Sequence, residues 1–89
     1  MVQKELTILN RLGLHARPAA QIAQTAAGFG CDIELTKDGV TINAKSIMGV
    51  MMLAAEFGSK VCVTAKGADE ENALAALEKL FNDKFNEEF

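Results

Sequence analysis

His15 is the single histidine of an 89-residue chain, and it stands in Asn10-Arg11-Leu12-Gly13-Leu14-His15-Ala16-Arg17-Pro18-Ala19-Ala20, a stretch that also holds both arginines and the single proline. Proline fits the first helical turn, where its missing N–H has no partner to lose. Pro18 therefore sets a helix start at Ala16 or Arg17, with His15 at the cap or just before it. A helix start aims unpaired N–H groups outward and concentrates partial positive charge, which suits an anion such as phosphate. An imidazole over that start is a nucleophile whose phosphorylated product the amides of Ala16 and Arg17 and the Arg17 guanidinium can hold. Imidazoles ordinarily titrate near neutral pH, at about 6.5, so both forms are accessible and the chemistry is reversible. These residues point to a phosphohistidine carrier site; taken alone, they are explained equally well by a capping or surface histidine.

Elements must position this stretch. Val2 to Leu9 alternates Leu6 and Ile8 with polar residues, the period of a strand with one covered face. Arg11 to Leu14 form a loop in which Gly13 is free to take backbone angles other residues resist. Ala16 to Ala27 are mostly strong helix formers, with Ala16, Ala19, Ala20, Ala23 and Ala27 along one stripe and Ile22 and Ala26 beside it. Gly28 is the expected left-handed terminator. Cys31, Ile33 and Leu35 alternate with Asp32, Glu34 and Thr36. Asp38-Gly39 is a two-residue hairpin signal, and Val40 and Ile42 continue the alternation on an antiparallel neighbour.

Ser46 is placed to cap a short helix from Ile47 to about Met52. Its apolar residues cannot all face one core, because successive residues step about 100° around the axis. Either the helix is covered on every side or part of it is a surface for a partner. Its methionines and the small size of the chain favour partial exposure. Glu56 to Ser59 read as a turn, and Lys60 to Lys66 as a last strand with Val61, Val63 and Ala65 on one face and Cys62 and Thr64 on the other. Cys31 and Cys62 then face opposite sides of the sheet and form no disulfide. Asp69 caps the final helix, with Glu70 and Glu71 in its first turn, a buried stripe of Leu74, Leu77 and Phe81, and Ala73 and Leu80 flanking it. Asn86 to Phe89 are expected to fray.

Composition excludes several classes. The hydrophobic fraction of 49% and charged fraction of 24% are those of a soluble globular protein, and the length suits one domain over residues 1–89. A net charge of −3 with neither Trp nor Tyr disfavours a nucleic-acid surface. The spacing of the cysteines and histidine suggests no metal site, and nothing calls for a cofactor. Lys4 and Glu5 fall where a signal peptide would be apolar, and the longest apolar run, Ile47 to Ala55, is too short to span a bilayer, so a cytoplasmic protein without membrane insertion is expected. No acid lies between Glu5 and Asp32 or between Asp38 and Glu56, whereas seven of the 12 acids lie in the last helix and tail (Asp69, Glu70, Glu71, Glu78, Asp83, Glu87, Glu88). A net-acidic chain that keeps negative charge away from its histidine prepares that region for an anion or an acidic partner. Chance clustering in a short chain is the alternative.

Gly13-Leu14-His15-Ala16-Arg17-Pro18-Ala19, Lys45-Ser46-Ile47-Met48-Gly49-Val50-Met51 and Gly67-Ala68-Asp69-Glu70-Glu71-Asn72-Ala73-Leu74 together resemble the HPr family, the histidine-containing phosphocarriers of the bacterial phosphotransferase system, over nearly the whole chain. The resemblance implies an α+β open-faced sandwich, a four-stranded antiparallel sheet covered on one face by three helices in the order βαββαβα. The element reading above arrives at the same order. It further implies a carrier rather than an enzyme, a monomer in which His15 accepts a phosphoryl group through Nδ1 from phosphorylated enzyme I and passes it to a histidine of a sugar-specific enzyme IIA. Arg17 would neutralise the transferring group, with Ala16, Arg17 and Pro18 around the phosphate and Ala20, Gln24, Ile47, Met48 and Met51 as the docking surface.

Ser46 resembles the serine that a dedicated kinase phosphorylates in some of these proteins, though capping alone also explains it. Two other readings share the fold: a nitrogen-type paralogue in a regulatory relay, and an interaction module that has lost phosphotransfer. The kinase-type serine motif argues against the first, and His15 with Arg17 against the second.

Overall fold

Val61, Val63 and Ala65 are fully buried while Cys62 and Thr64 between them are half-buried, so the strand they form, β4 (Lys60–Lys66), has one face on the core. The structure, a computed structural model, describes residues 1–88. Its other strands are β1 (Val2–Thr7), β2 (Asp32–Lys37) and β3 (Val40–Asn43), in the order β1-β4-β2-β3 with every neighbouring pair antiparallel. β1 ends at Thr7, short of the expected Leu9, because Ile8 turns its backbone to Gly58 and Ser59 at the sheet's end. At the β2–β3 hairpin Asp38 (φ 50°) and Gly39 (φ 82°) both take left-handed angles, the geometry that matches strand twist.

Three helices, α1 (Ala16–Ala27), α2 (Ile47–Met52) and α3 (Glu70–Asn82), lie over the apolar face, α3 against β1 and β4 and α1 between α2 and α3. Both spans expected for the first two helices agree with the structure. The core joins Ile8, Ile22, Ile33, Leu35, Val50, Val61, Val63, Leu77 and Phe81. The buried stripe of α1 is rotated from the alanine stripe read in the sequence: Pro18, Ala19, Ile22, Ala23 and Ala26 are buried, while Ala16 and Ala27 are exposed. The larger Ile22 sits at its centre, and burying it removes more apolar surface from water than any alanine does. In α3, Ala73 replaces Leu74 on the stripe, with Leu74 half-buried.

Two helix ends differ from expectation. Gly28 closes α1 in a right-handed conformation (φ −73°, ψ −7°), its N–H donating to Thr25 in a tightened last turn. Asp69 occupies the cap position of α3 without capping it. Its carboxylate instead accepts from the amides of Gly30 (2.9 Å) and Cys31 (3.0 Å), tying the entry of β2 to the start of α3. Cys31 and Cys62 are free thiols, as expected from their opposite faces. Among the described residues no helix is long and apolar enough to cross a membrane.

The Gly30 amide, then the Cys31 thiol and amide, hold the Asp69 carboxyl below its ordinary value of 3.8. A depressed carboxyl contributes stability that is present in full above that ordinary value and is lost as the pH falls through the lower native one. Urea unfolding of wild type and Asp69→Asn is expected to differ most above pH 5, with the gap closing as the pH falls below about 4. A gap independent of pH would contradict this assignment.

Candidate functional site

The loop before α1 is held at two points. The Leu14 amide donates to the Ala55 carbonyl (2.9 Å), and Gly13, at φ 69°, lies so close that a Cβ there would meet the same oxygen at 2.4 Å. Only glycine satisfies both conditions. This seating brings the loop ahead of α1 against the segment that follows α2.

His15 is the N-cap of α1, and its carbonyl accepts from Ala19 (3.0 Å). Its side chain makes no capping bond. The amides of Ala16 and Arg17 precede the first intrahelical donor and have no acceptor among the described residues. The first turn holds no acid, and Arg17 is exposed without an ion-pair partner among the described residues. Pro18 is buried and lacks an N–H, so it sets the start of the helix instead of contacting an anion.

The C-terminal segment completes the site, contrary to the fraying expected for Asn86 to Glu88; Phe89 lies outside the described residues. After α3, Lys84–Asn86 form a 3-10 turn whose three residues all adopt left-handed angles (φ 56°, 55° and 62°). What holds this unfavourable backbone is Phe85, completely buried and packed 5.0 Å from the Phe81 ring, with its carbonyl accepting from Gln21 (3.1 Å). Glu87 is thereby delivered to His15. Its Oε2 lies 2.7 Å from Nε2, and its Oε1 accepts from Asn10 Nδ2 at 2.9 Å. The Glu87 side chain is only 6% exposed against 36% for His15, and both its oxygens are paired, as a buried carboxylate requires. Asn10, itself fully buried, also donates to the Gly13 carbonyl (2.8 Å). Nδ1 of His15 forms no hydrogen bond among the described residues. The ring borders an open depression of about 410 Å³ with Leu12, Arg17, Asn86, Glu87 and Glu88.

The acid-free zone read from the sequence is thus not acid-free in space. Sequence reasoning missed Glu87 and Asn10; the one signal for either was the pair Phe81 and Phe85, four residues apart, which continues the apolar stripe of α3 into the tail.

The second motif is arranged as expected. Ser46 caps α2, its hydroxyl accepting from the Gly49 amide (3.0 Å). Val50 and Leu53 are buried, while Ile47, Met48, Met51 and Met52 are exposed, Met48 by 77%. α2 packs beside α1, on which Ala20 is half-buried and Gln24 exposed, and Leu12 and Phe57 are further exposed apolar residues. The structure therefore joins an unpaired imidazole nitrogen, free helix-start amides, a guanidinium and an apolar surface on two packed helices.

A family model described as the PTS HPr component phosphorylation site matches residues 2–83. The phosphocarrier protein HPr of Treponema pallidum is 52% identical over 99% of this chain and 100% of its own length. A crystal structure of HPr from Thermoanaerobacter tengcongensis superposes with a TM-score of 0.96, at 47% identity and full coverage of both chains. Another crystal structure from that organism, described as an HPr dimer, matches with a TM-score of 0.79 at 47% identity, covering 98% of this chain and 100% of the other.

Because Phe85 anchors the tail, Phe85→Ala is expected to lower unfolding free energy by about 3 kcal/mol or more. Urea denaturation measures this; a loss below about 1 kcal/mol would mean the tail is held by something other than that ring.

Proposed function

The chain belongs to the HPr family, the phosphocarriers of the phosphotransferase system, and from this we propose that His15 is the residue that carries the phosphoryl group, taking it from phosphorylated enzyme I and giving it to a histidine of a sugar-specific enzyme IIA in the cytoplasm. The observation that carries the reading is that His15, with Nδ1 unbonded, is the N-cap residue of α1, followed directly by the free amides of Ala16 and Arg17. Nδ1 attacks the phosphorus of the donor phosphohistidine; the Nδ1–P bond forms as the donor's N–P bond breaks, and the donor imidazole leaves. The amides and the Arg17 guanidinium take up charge on the phosphoryl oxygens. Rate comes from positioning and electrostatics as two surfaces dock. Ile47, Met48 and Met51, with Ala20 and Gln24 of the neighbouring helix, form the docking surface, and methionine side chains adapt to more than one partner.

Ser46 is the proposed regulatory site. Its hydroxyl sits at a helix start, where a phosphate is tolerated, and beside the exposed residues of α2. A phosphate added there by a serine kinase brings about two negative charges into the docking surface and slows transfer.

Incubation with phosphoenolpyruvate and enzyme I is expected to give an acid-labile adduct on the wild type and none on His15→Ala. An adduct that survives the substitution removes His15 from the mechanism. Ser46→Asp is expected to slow transfer from enzyme I about tenfold or more through charge in the docking surface, and stopped-flow rates equal to wild type would count against regulation at that serine.

A further inference from the structure

A ring nitrogen can attack phosphorus only through an unshared pair, so the neutral imidazole must carry its proton on Nε2 for Nδ1 to react. The contact made by Nε2 therefore bears on the reaction as much as the environment of Nδ1. That contact is Glu87 Oε2 at 2.7 Å, and an ionised carboxylate can only accept.

The orientation of the carboxylate is in turn determined. Asn10 faces two acceptors, the Gly13 carbonyl and Glu87 Oε1, so its amide must present Nδ2 to both, which leaves Asn10 Oδ1 buried without a partner. Turning the amide over would set that oxygen against two other oxygens and leave both of them without a donor. Asn10 thus accepts an orphaned buried atom to keep a donor on Glu87, and Glu87 keeps an acceptor on His15. Phe85 and the left-handed turn bring the carboxylate across the chain to reach both.

We propose that Glu87, held by Asn10, is a positioning residue for phosphotransfer: it fixes the proton of His15 on Nε2 and so keeps the electron pair of Nδ1 directed to the phosphoryl donor. When the Nδ1–P bond forms, the ring becomes a phosphoimidazolium whose positive charge lies against the Glu87 carboxylate, and no proton has to move during the step. The same contact then keeps Nε2 protonated in the carrier, the form in which the N–P bond is most easily broken by the next acceptor. The reverse arrangement, with the proton on Nδ1, would block attack and leave the carboxylate facing a lone pair.

This inference rests on the phosphocarrier reading of His15, but the position of the proton is measurable without any phosphate. Glutamine at position 87 must either set its NH2 against the NH2 of Asn10, or turn that group toward His15 Nε2 and so favour the ring protonated on Nδ1. Alanine removes the contact and leaves Nε2 to water. A neutral isostere is therefore expected to be worse than a truncation, the opposite of what a purely structural or packing role gives.

Because the chain has a single histidine, nitrogen NMR of the neutral ring reads one residue. The expected result is a proton on Nε2 in wild type, a mixture in Glu87→Ala and a shift toward Nδ1 in Glu87→Gln. Transfer rates from phosphorylated enzyme I are expected to fall a fewfold in Glu87→Ala and about tenfold or more in Glu87→Gln, the scale of one charge-assisted hydrogen bond. A wild-type ring protonated on Nδ1, a Gln variant as fast as Ala or faster, or a slowed Gln variant whose proton has not moved would each overturn the proposal. Absence of any adduct on the wild type would instead overturn the phosphocarrier reading.

Discussion

The close seating of Gly13 against the Ala55 carbonyl is the constraint on which the rest of the site depends. With no Cβ at position 13 and a left-handed backbone, the loop comes near enough for the Leu14 amide to reach that same oxygen. The chain then turns into α1 at His15, which leaves the first amides of the helix pointing outward and the imidazole beside them. It also ties the loop that leads to His15 to the segment leaving α2. The start of α1 and the exposed apolar side of α2 are thereby joined through one backbone contact.

The tail contributes by a different principle. A run of three left-handed, non-glycine residues is unfavourable by itself, and it persists where tertiary contacts over-determine it. Phe85 supplies those contacts by filling the space beside Phe81. Having been forced into this path, the chain places Glu87 where both carboxylate oxygens are hydrogen-bonded, one to Asn10 and one to His15. Under the proposed role of His15 as phosphoryl acceptor, a carboxylate facing Nδ1 would repel the incoming group; Glu87 faces Nε2 instead.

Much of this was legible in the sequence because it depends on local stereochemistry. Pro18 and the helix formers after it define α1, and the alternation of Val61, Val63 and Ala65 defines β4 and its covered face. Asp38-Gly39 defines the hairpin, and Ser46 the start of α2. Each signal acts within a few residues, where backbone angles, one hydrogen bond or side-chain periodicity leave few choices. The exposed side of α2 followed from the same reasoning, since seven consecutive apolar or small residues cannot share one face of a helix.

The remainder was decided by contacts between distant parts of the chain. Asp69 has the right type and place to cap α3, yet its carboxylate is drawn to two amides almost 40 residues away, at Gly30 and Cys31. Glu87 lies 72 positions from His15, in a tail whose polar composition suggests fraying, and no periodicity links them. The absence of acids around His15 was a true statement about the chain and a false one about the space it folds into. The sequence by itself determined that a histidine would stand at the start of a helix beside an apolar surface, because those features arise from neighbouring residues. Which nitrogen of that histidine is left unbonded was decided by the fold, because a hydrogen bond needs two partners at one point in space, and only tertiary packing brings Glu87 there.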